Sequence, residues 1–158
     1  MMNEQKIELD SFDFAILRIL QKDNTLPHRV IAEEVNLSAP SVQRRIKRLN
    51  ETGIIESNVS IISGEQIGYA LTVIVTVELS NDAIELMDHA REAFLKAPEV
   101  QQCYFVSGQI DIVLVIVVQS MSEFSELTRQ LFFKNKNVKK FNTYVCMSKV
   151  KAGAELPI

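Results

Sequence analysis

Leu37-Ser38-Ala39-Pro40-Ser41-Val42-Gln43-Arg44-Arg45-Ile46-Lys47-Arg48-Leu49 is the stretch whose reading settles the first part of this chain. Ser38 or Ser41 can cap a helix start there, because a short hydroxyl accepts from backbone N–H groups that have no partner inside the helix. Pro40 fits a first turn, where its missing donor costs nothing. Val42, Ile46 and Leu49 then recur at offsets of four and three, which gathers them on one buried face. Ser41, Arg44, Arg45 and Arg48 are expected to point away from that face, with Gln43 and Lys47 on its flanks. Four of the five residues from Arg44 to Arg48 are cationic, so the outer surface suits phosphate groups. By itself such a run is often no more than a solvated face.

The residues upstream give the basic helix a context. Leu9-Asp10-Ser11-Phe12-Asp13 opens a helix with Ile16, Leu17 and Leu20 on its apolar side, and Asp10 is its candidate N-cap. A polar turn, Lys22-Asp23-Asn24-Thr25, leads past Leu26 and Pro27 into a second helix that carries Val30, Ile31, Ala32 and Val35 inward. Asn36 occupies the place of a left-handed C-terminal residue, and Leu37 plugs the turn. Helix, short turn and basic helix form a helix-turn-helix, whose second member lies in the major groove of DNA. The bland reading of the same pattern is a three-helix bundle with a solvated Arg/Lys face. In the DNA reading, Lys47, Arg45, Arg48 and Arg29 meet phosphates. Ser41, Gln43 and Arg44, nearer the helix start, reach base edges.

Composition sets the outer bounds. The 158 residues suit one domain or two small ones, and 47% hydrophobic residues with a mean hydropathy of +0.07 suffice for a packed core. A net charge of −3 is unusual for a protein that meets DNA, but the charge is unevenly spread. Residues 1–60 hold 8 Lys/Arg against 9 Asp/Glu, a net of −1, whereas residues 39–50 hold 4 cations and no acid. Local clustering sets the field that DNA meets. The Met-Met-Asn-Glu-Gln start has no apolar core, so no signal peptide is expected and the cytoplasm is the expected location. The longest apolar run, Ile112 to Val118, is too short to span a bilayer, so no membrane partner is expected. Cys103 and Cys146 lack CxxC spacing and read as reduced, partly buried thiols. With only His28 and His89 available, no multi-histidine metal site is expected, and no catalytic constellation or cofactor motif stands out.

After Gly53 the pattern changes. Ile54 to Ile62 is β-branched and partly alternating, which predicts strands or an extended arm. Ser63-Gly64-Glu65-Gln66-Ile67-Gly68 is a connector. The expected division is therefore residues 1–60, a linker at 61–68, and a second domain at 69–158. In that domain Leu71, Val73, Val75, Val77 and Leu79 share one face of a strand. Asn81 or Asp82 can cap a helix carrying Ala83, Met87, Ala90, Phe94 and Ala97, which Pro98 stops. Val100 to Val106 is a strand, Ser107-Gly108-Gln109-Ile110 a tight turn, and Asp111 to Gln119 a strand apolar on both faces. Ser120 and Glu123 have capping-box spacing for a helix with Phe124, Leu127 and Leu131 inward. Lys134-Asn135-Lys136-Asn137 makes a basic turn into a final strand from Val138 to about Lys149. The fold class is α+β, and this half reads β-α-β-β-α-β, the ferredoxin-like order.

Two helices cover one face of a four-stranded sheet. Yet Ile112, Leu114, Ile116 and Val118 oppose Val113, Val115 and Val117, so both sides of that strand call for burial. An apolar patch left over in this way is normally met by a partner, here a second copy. A dimer also suits a helix-turn-helix, because two recognition helices can read half-sites one helical turn apart.

Taken together, these segments resemble the Lrp/AsnC family of feast/famine transcriptional regulators over nearly the whole chain. Leu9-Asp10…Asp13…Ile16-Leu17…Leu20 resembles the family's first helix. Leu37-Ser38…Val42…Arg44-Arg45-Ile46…Arg48-Leu49…Gly53-Ile54-Ile55 resembles its recognition helix and exit. Val106-Ser107-Gly108…Asp111 is similar to its effector turn, and Thr143-Tyr144-Val145 with Lys149-Val150-Lys151 to its closing strand. The resemblance implies a winged-type helix-turn-helix domain joined to a ferredoxin-like RAM domain. It implies double-stranded DNA as partner and a homodimer that assembles to a tetramer or octamer, with an amino-acid effector held between dimers. Carried over, Gly108, Gln109 and Ile110 would offer backbone groups to the effector, and Asp111 would attract its ammonium or shape the turn. Thr143, Tyr144, Val145 and Cys146 fall where family members tune the response. Many members have Gly-Asp-Tyr/Phe-Asp where this chain has Gly108-Gln109-Ile110-Asp111, so the identity of the effector does not come across.

For the residues alone, other accounts stand beside these. A turn glycine serves backbone geometry, an Asp after it bonds its own turn, and Tyr144 and Cys146 pack a strand. Two further functions compete: an architectural DNA-binding protein indifferent to effectors, and an enzyme resembling sirohaem decarboxylases. The second would need cationic and histidine groups around a tetrapyrrole, and His28 and His89 do not belong with the Gly108 turn.

Overall fold

A computed structural model describes residues 7–80 and 84–158, the side chains of 84–86 excepted. The expected cap at Asn81 or Asp82 and the inward Ala83 lie outside the described residues. The chain divides into two units: residues 7–61 with Lys151–Ile158, and Ile62–Val150.

The first unit holds α1 (Ser11–Leu20), α2 (His28–Val35) and α3 (Ala39–Glu51). Asp10 caps α1 and accepts from Asp13 N at 2.9 Å, while the Asp13 carboxylate accepts from Asp10 N at 3.1 Å. Both orphan donors are thus satisfied reciprocally. Asn36 ends α2 in the left-handed region (φ 55°, ψ 47°), where a short polar side chain costs little. Ser38 caps α3 and Pro40 sits in its first turn. Ile16, Ile31, Ala32, Val35 and Val42 form the core, with Leu37 and Ile46 packed against it. Gly53, at φ 73°, turns the chain out of α3, and Ile55 N donates to Leu49 O at 3.0 Å.

Residues 54–62 form no strand, so no wing hairpin is present among the described residues. A strand needs a neighbour for its peptide groups, and none among the described residues of this unit supplies one. Val59, Ile61 and Ile62 stand 69%, 92% and 69% exposed. The last eight residues also depart from the expected division. Gln21 bonds both peptide groups of Leu156 at 3.0 Å, and Arg18 Nε donates to Ile158 O at 2.7 Å, which ties this segment to α1. Nothing in its composition foretells those bonds.

The second unit contains β1 (Leu71–Leu79), α4 (Ile84–Lys96), β2 (Val100–Phe105), β3 (Ile112–Val118), α5 (Met121–Thr128), which continues as a π-helical turn over Arg129–Phe133, and β4 (Val138–Val145). The strands form one antiparallel sheet in the order β2-β3-β1-β4, as β-α-β-β-α-β requires. Val73, Val75 and Val77 lie under Ala90, Phe94, Phe124, Leu127 and Phe132 together with Ile112, Leu114 and Ile116. Phe132 stacks on Phe141 with centroids 4.7 Å apart. Ser120 caps α5 as expected, accepting from Glu123 N at 3.1 Å. The Glu123 carboxylate reaches one residue further back, to Gln119 N at 2.6 Å. β4 stops at Val145 rather than near Lys149, because its partner β1 begins at Leu71 and Val145 already pairs Val73.

Leu114 is fully buried at the middle of the sheet. Leu114→Ala is expected to lower stability by about 2–5 kcal/mol, read by urea unfolding followed by circular dichroism.

Candidate nucleic-acid interface and ligand turn

On α3, Gln43, Arg44, Lys47 and Arg48 are exposed while Val42 and Leu49 are buried, so the helix presents the expected basic edge. Its cations divide into two groups. Arg45 Nη1 donates to Asp13 at 2.8 Å and to Asp10 at 2.8 Å, and Arg48 Nη2 donates to Asp13 at 2.5 Å. The Asp13 side chain is only 1% exposed, and a carboxylate so buried needs cations around it. Arg45 also lies 5.6 Å from the Phe12 ring centre. The hydrogen bond to Asp13 holds the Arg45 guanidinium still more firmly protonated than usual. Asp10 is held below the ordinary carboxylate range, first by the Asp13 peptide N–H and then by Arg45.

Arg45 is therefore not the outward phosphate ligand that helical spacing predicts. It leans onto α1, because offset three from Val42 places it at the margin of the packed face. Arg48 is shared: bonded to Asp13, yet 44% exposed. Ser41 is half-buried, and its hydroxyl is bonded to Ser38 Oγ at 2.9 Å. Gln43 and Arg44 form no ion pair among the described residues, and Lys47 has only an exposed contact to Glu51 at 3.6 Å, which holds it weakly. Arg29 is exposed on the first turn of α2. The polar side chains of α3 least held by the protein itself are thus Gln43, Arg44 and Lys47. Asp10 and Asp13 are site residues that the pattern names only as α1 positions; three-residue spacing shows a cap, not a clamp on another helix.

In the second unit, Ser107, Gly108 and Gln109 are exposed and Ile110 is half-buried. Val106 N donates to Asp111 O, and Asp111 N to Val77 O, each at 2.9 Å. Nothing lies within 4 Å of a Cβ added at Gly108, so the turn faces open space. The peptide N–H groups of Gly108, Gln109 and Ile110 have no partner among the described residues, which leaves donors for an anionic group. The Asp111 side chain holds the turn to the sheet, since its Oδ2 accepts from Leu79 N at 2.7 Å, at the irregularity in β1. The bond goes to a neighbouring strand, not to its own turn.

Thr143, Tyr144, Val145 and Cys146 do not form one surface. Thr143 and Val145 pair Val75 and Val73 on the helix side, whereas Tyr144 pairs Ile74 on the open side, and Cys146 N donates to Thr72 O at 2.9 Å. The turn is anchored at Val77 and Leu79, so Tyr144 lies three residues along β1 from it, about 10 Å, and beyond β1 from β3. One chain does not bring the two groups together. His28 and His89 are exposed and meet no group of ligands among the described residues. Among the described residues no cluster of His, Cys, Asp and Glu suits a metal ion, and no helix is long and apolar enough to cross a membrane.

Two family models match. One, described as "Winged helix-turn-helix DNA-binding", covers residues 9–56, and the other, "Lrp/AsnC ligand binding domain", covers residues 72–156. An HTH-type transcriptional regulator of Sinorhizobium fredii is 37% identical over 157 residues, spanning 99% of this chain and 93% of that protein. An AsnC family transcriptional regulator from Agrobacterium tumefaciens superposes with a TM-score of 0.89 at 29% identity, covering 94% of this chain and 97% of its own. A transcriptional regulator of Neisseria meningitidis solved with L-Met gives a TM-score of 0.89 at 25% identity, covering 95% and 97%.

Asp13→Asn leaves two guanidiniums without their buried counter-charge. It is expected to destabilise the first unit by about 2–3 kcal/mol, near or below the low end for a buried pair because Arg48 is half in water. Urea unfolding of this variant beside wild type measures the loss. The pH limb follows from Asp10, whose carboxyl is depressed in the folded state. Its contribution is present above the ordinary carboxylate value and is lost as pH falls through the lowered one. Acid titration of stability below about pH 4 should be shallower in Asp10→Asn than in wild type.

Proposed function

The chain belongs to the Lrp/AsnC family of transcriptional regulators, and we propose that it reads a specific DNA site through α3 and answers to an amino acid bound at the Gly108–Asp111 turn. The observation that carries the DNA reading is the division of labour on α3. Arg45 and Arg48 fix the helix to Asp13, and Gln43 and Arg44 stand exposed along its outer edge with Lys47, whose contact to Glu51 holds it weakly. Arg44 then pairs with guanine and Gln43 with adenine, while Lys47, Arg48 and Arg29 neutralise phosphates. Ser41 supports the helix start and Arg45 the helix angle.

The ligand-side reading rests on the free peptide N–H groups at Gly108, Gln109 and Ile110, which suit a carboxylate, and on the L-Met bound to the Neisseria relative. Asp111 keeps the turn in shape. A ligand touching both this turn and Tyr144 would need a second copy, which supports an effector site between chains. The open sheet face supports the same assembly: Ile74 and Tyr144 are 38% and 55% exposed beside half-buried Val113 and Val115. A homodimer closes that face, with tetramers or octamers built from it. In this reading the protein works in the cytoplasm beside its DNA and carries out no catalytic step.

Size-exclusion chromatography with light scattering, run with and without each common amino acid, tests the assembly and its ligand. A dimer or larger multiple whose mass or DNA affinity shifts with one or a few amino acids is expected. A species indifferent to all of them sinks the effector half. For the DNA half, Arg44→Ala should cost about 1–3 kcal/mol of discrimination between selected and random duplex, read by fluorescence anisotropy. Unchanged discrimination in the folded variant would remove α3 as the reader.

A further inference from the structure

Between Glu126 and Glu155 the chain carries no acid. Four of the cations in that interval, Lys134, Lys136, Lys139 and Lys140, fall within seven residues around the entry to β4. The turn there alternates in direction: Asn135 and Asn137 are buried, at 8% and 4% exposure, while Lys134 and Lys136 are exposed. Its backbone is stitched on both sides. Lys134 N donates to Arg129 O at 3.2 Å, Val138 N to Asn135 O at 3.1 Å, and Ser80 N to Asn137 O at 2.7 Å. Asn135 Oδ1 accepts from Asn137 N at 3.1 Å. The two lysines therefore project from a fixed frame, not from a slack loop.

Lys139 is bonded to Glu78, whose carboxyl it holds below the usual range. Lys140 pairs across the sheet with the same Glu78 position, but neither it nor Lys134 nor Lys136 forms an ion pair among the described residues. Phe133, 74% exposed, is fixed edge-on against Phe141 at 5.6 Å beside them. Lysines on an edge strand also discourage a further strand from adding to the sheet. That purpose, with the bond to Glu78, explains Lys139. It does not call for Lys134 and Lys136, which precede the strand, nor for the exposed ring next to them.

We propose that the Phe133–Asn137 turn, with Lys134, Lys136 and Lys140, is a second contact for the phosphates of duplex DNA, independent of base sequence and outside the recognition helix. It rests on the reading of the protein as a DNA-binding regulator. The shortage of cations on α3 gives the contact its purpose. Arg45 is spent on Asp13 and Asp10, Arg48 is shared, and the whole chain carries a net charge of −3. DNA presents about one negative charge per 1.7 Å of axis, so a preformed lysine turn whose neighbouring Glu78 is already bonded to Lys139 has a complementary surface to meet.

The test uses the full chain and duplexes of about 60 base pairs, long enough to extend past a recognition-helix site, over a range of salt. Lys134→Gln/Lys136→Gln/Lys140→Gln is expected to lower the slope of log K against log salt by up to about 0.9 per lost phosphate contact, and to weaken binding roughly tenfold at low salt. Its preference between selected and random sequence should stay as in wild type. The triple Lys→Arg variant should restore both slope and affinity. Arg44→Ala should do the reverse, losing the preference and keeping the lysine-dependent part of the slope. A triple Gln variant with wild-type assembly, slope and affinity overturns the proposal. If wild type does not bind duplex DNA at all, the regulator reading falls and this proposal with it; if only the lysine variant is silent, the regulator reading survives.

Discussion

A carboxylate withdrawn from water in a three-helix core must be met by cations, and in this protein Asp13 is met by Arg45 and Arg48 of α3. The same side chain closes the capping box of α1 with Asp10. One buried acid thus fixes the start of the first helix and the seating of the third. Hydrophobic contact through Val42 decides that α3 packs, but apolar packing is non-directional and leaves rotation about the helix axis softly defined. Charge-assisted bonds from two successive turns of α3 to one carboxylate are directional. They hold Arg45 and Arg48 toward α1 and leave Gln43, Arg44 and Lys47 on the outward edge of α3.

That arrangement changes how the basic run is to be understood. A count of charges gives α3 four cations. Arg45 is taken up by Asp10 and Asp13 and Arg48 is shared with Asp13, so the edge not held by α1 is narrower: a Gln, an Arg and a Lys. Such an edge has one amide and one guanidinium able to discriminate bases, and modest electrostatic strength.

The ferredoxin-like unit follows a similar logic on a larger scale. Its helices cover the Val73, Val75, Val77 face of the sheet and leave the Ile74, Val113, Val115, Tyr144 face without cover from α4 and α5. The sheet order puts β3 and β1 at the centre, and β3 carries apolar residues onto the open face where β1 has Thr72 and Thr76 beside Ile74. It also separates the Gly108–Asp111 turn, hung from the end of β1 by Asp111, from the Tyr144 end of β4. Within one chain the open face is not covered by α4 or α5, and those two sets of residues stay apart.

Periodicity, turn residues and the continuous apolar run of β3 were enough to place the helices and the four strands along the chain, because burial on one face imposes a period of 3.6 or 2 and burial on both leaves an unbroken run. Caps at Asp10, Ser38 and Ser120 and the left-handed Asn36 were legible for a similar reason: the groups they satisfy lie within a few residues along the chain. The roles of Arg45, Arg48 and Asp111 were not, since each is set by a bond to a residue 32 to 35 positions away. Alternation by itself sets Thr143 and Val145 on the face opposite Tyr144, but which of the two faces lies under the helices only the pairing register decides. The segment 151–158 leaves its expected domain through bonds spanning 135 to 140 residues, and 54–62 shows strand chemistry with no strand to pair. Local chemistry determined the elements and their ends; which charge meets which, and which surface is left over, depended on distant residues brought together, and so belonged to the tertiary structure.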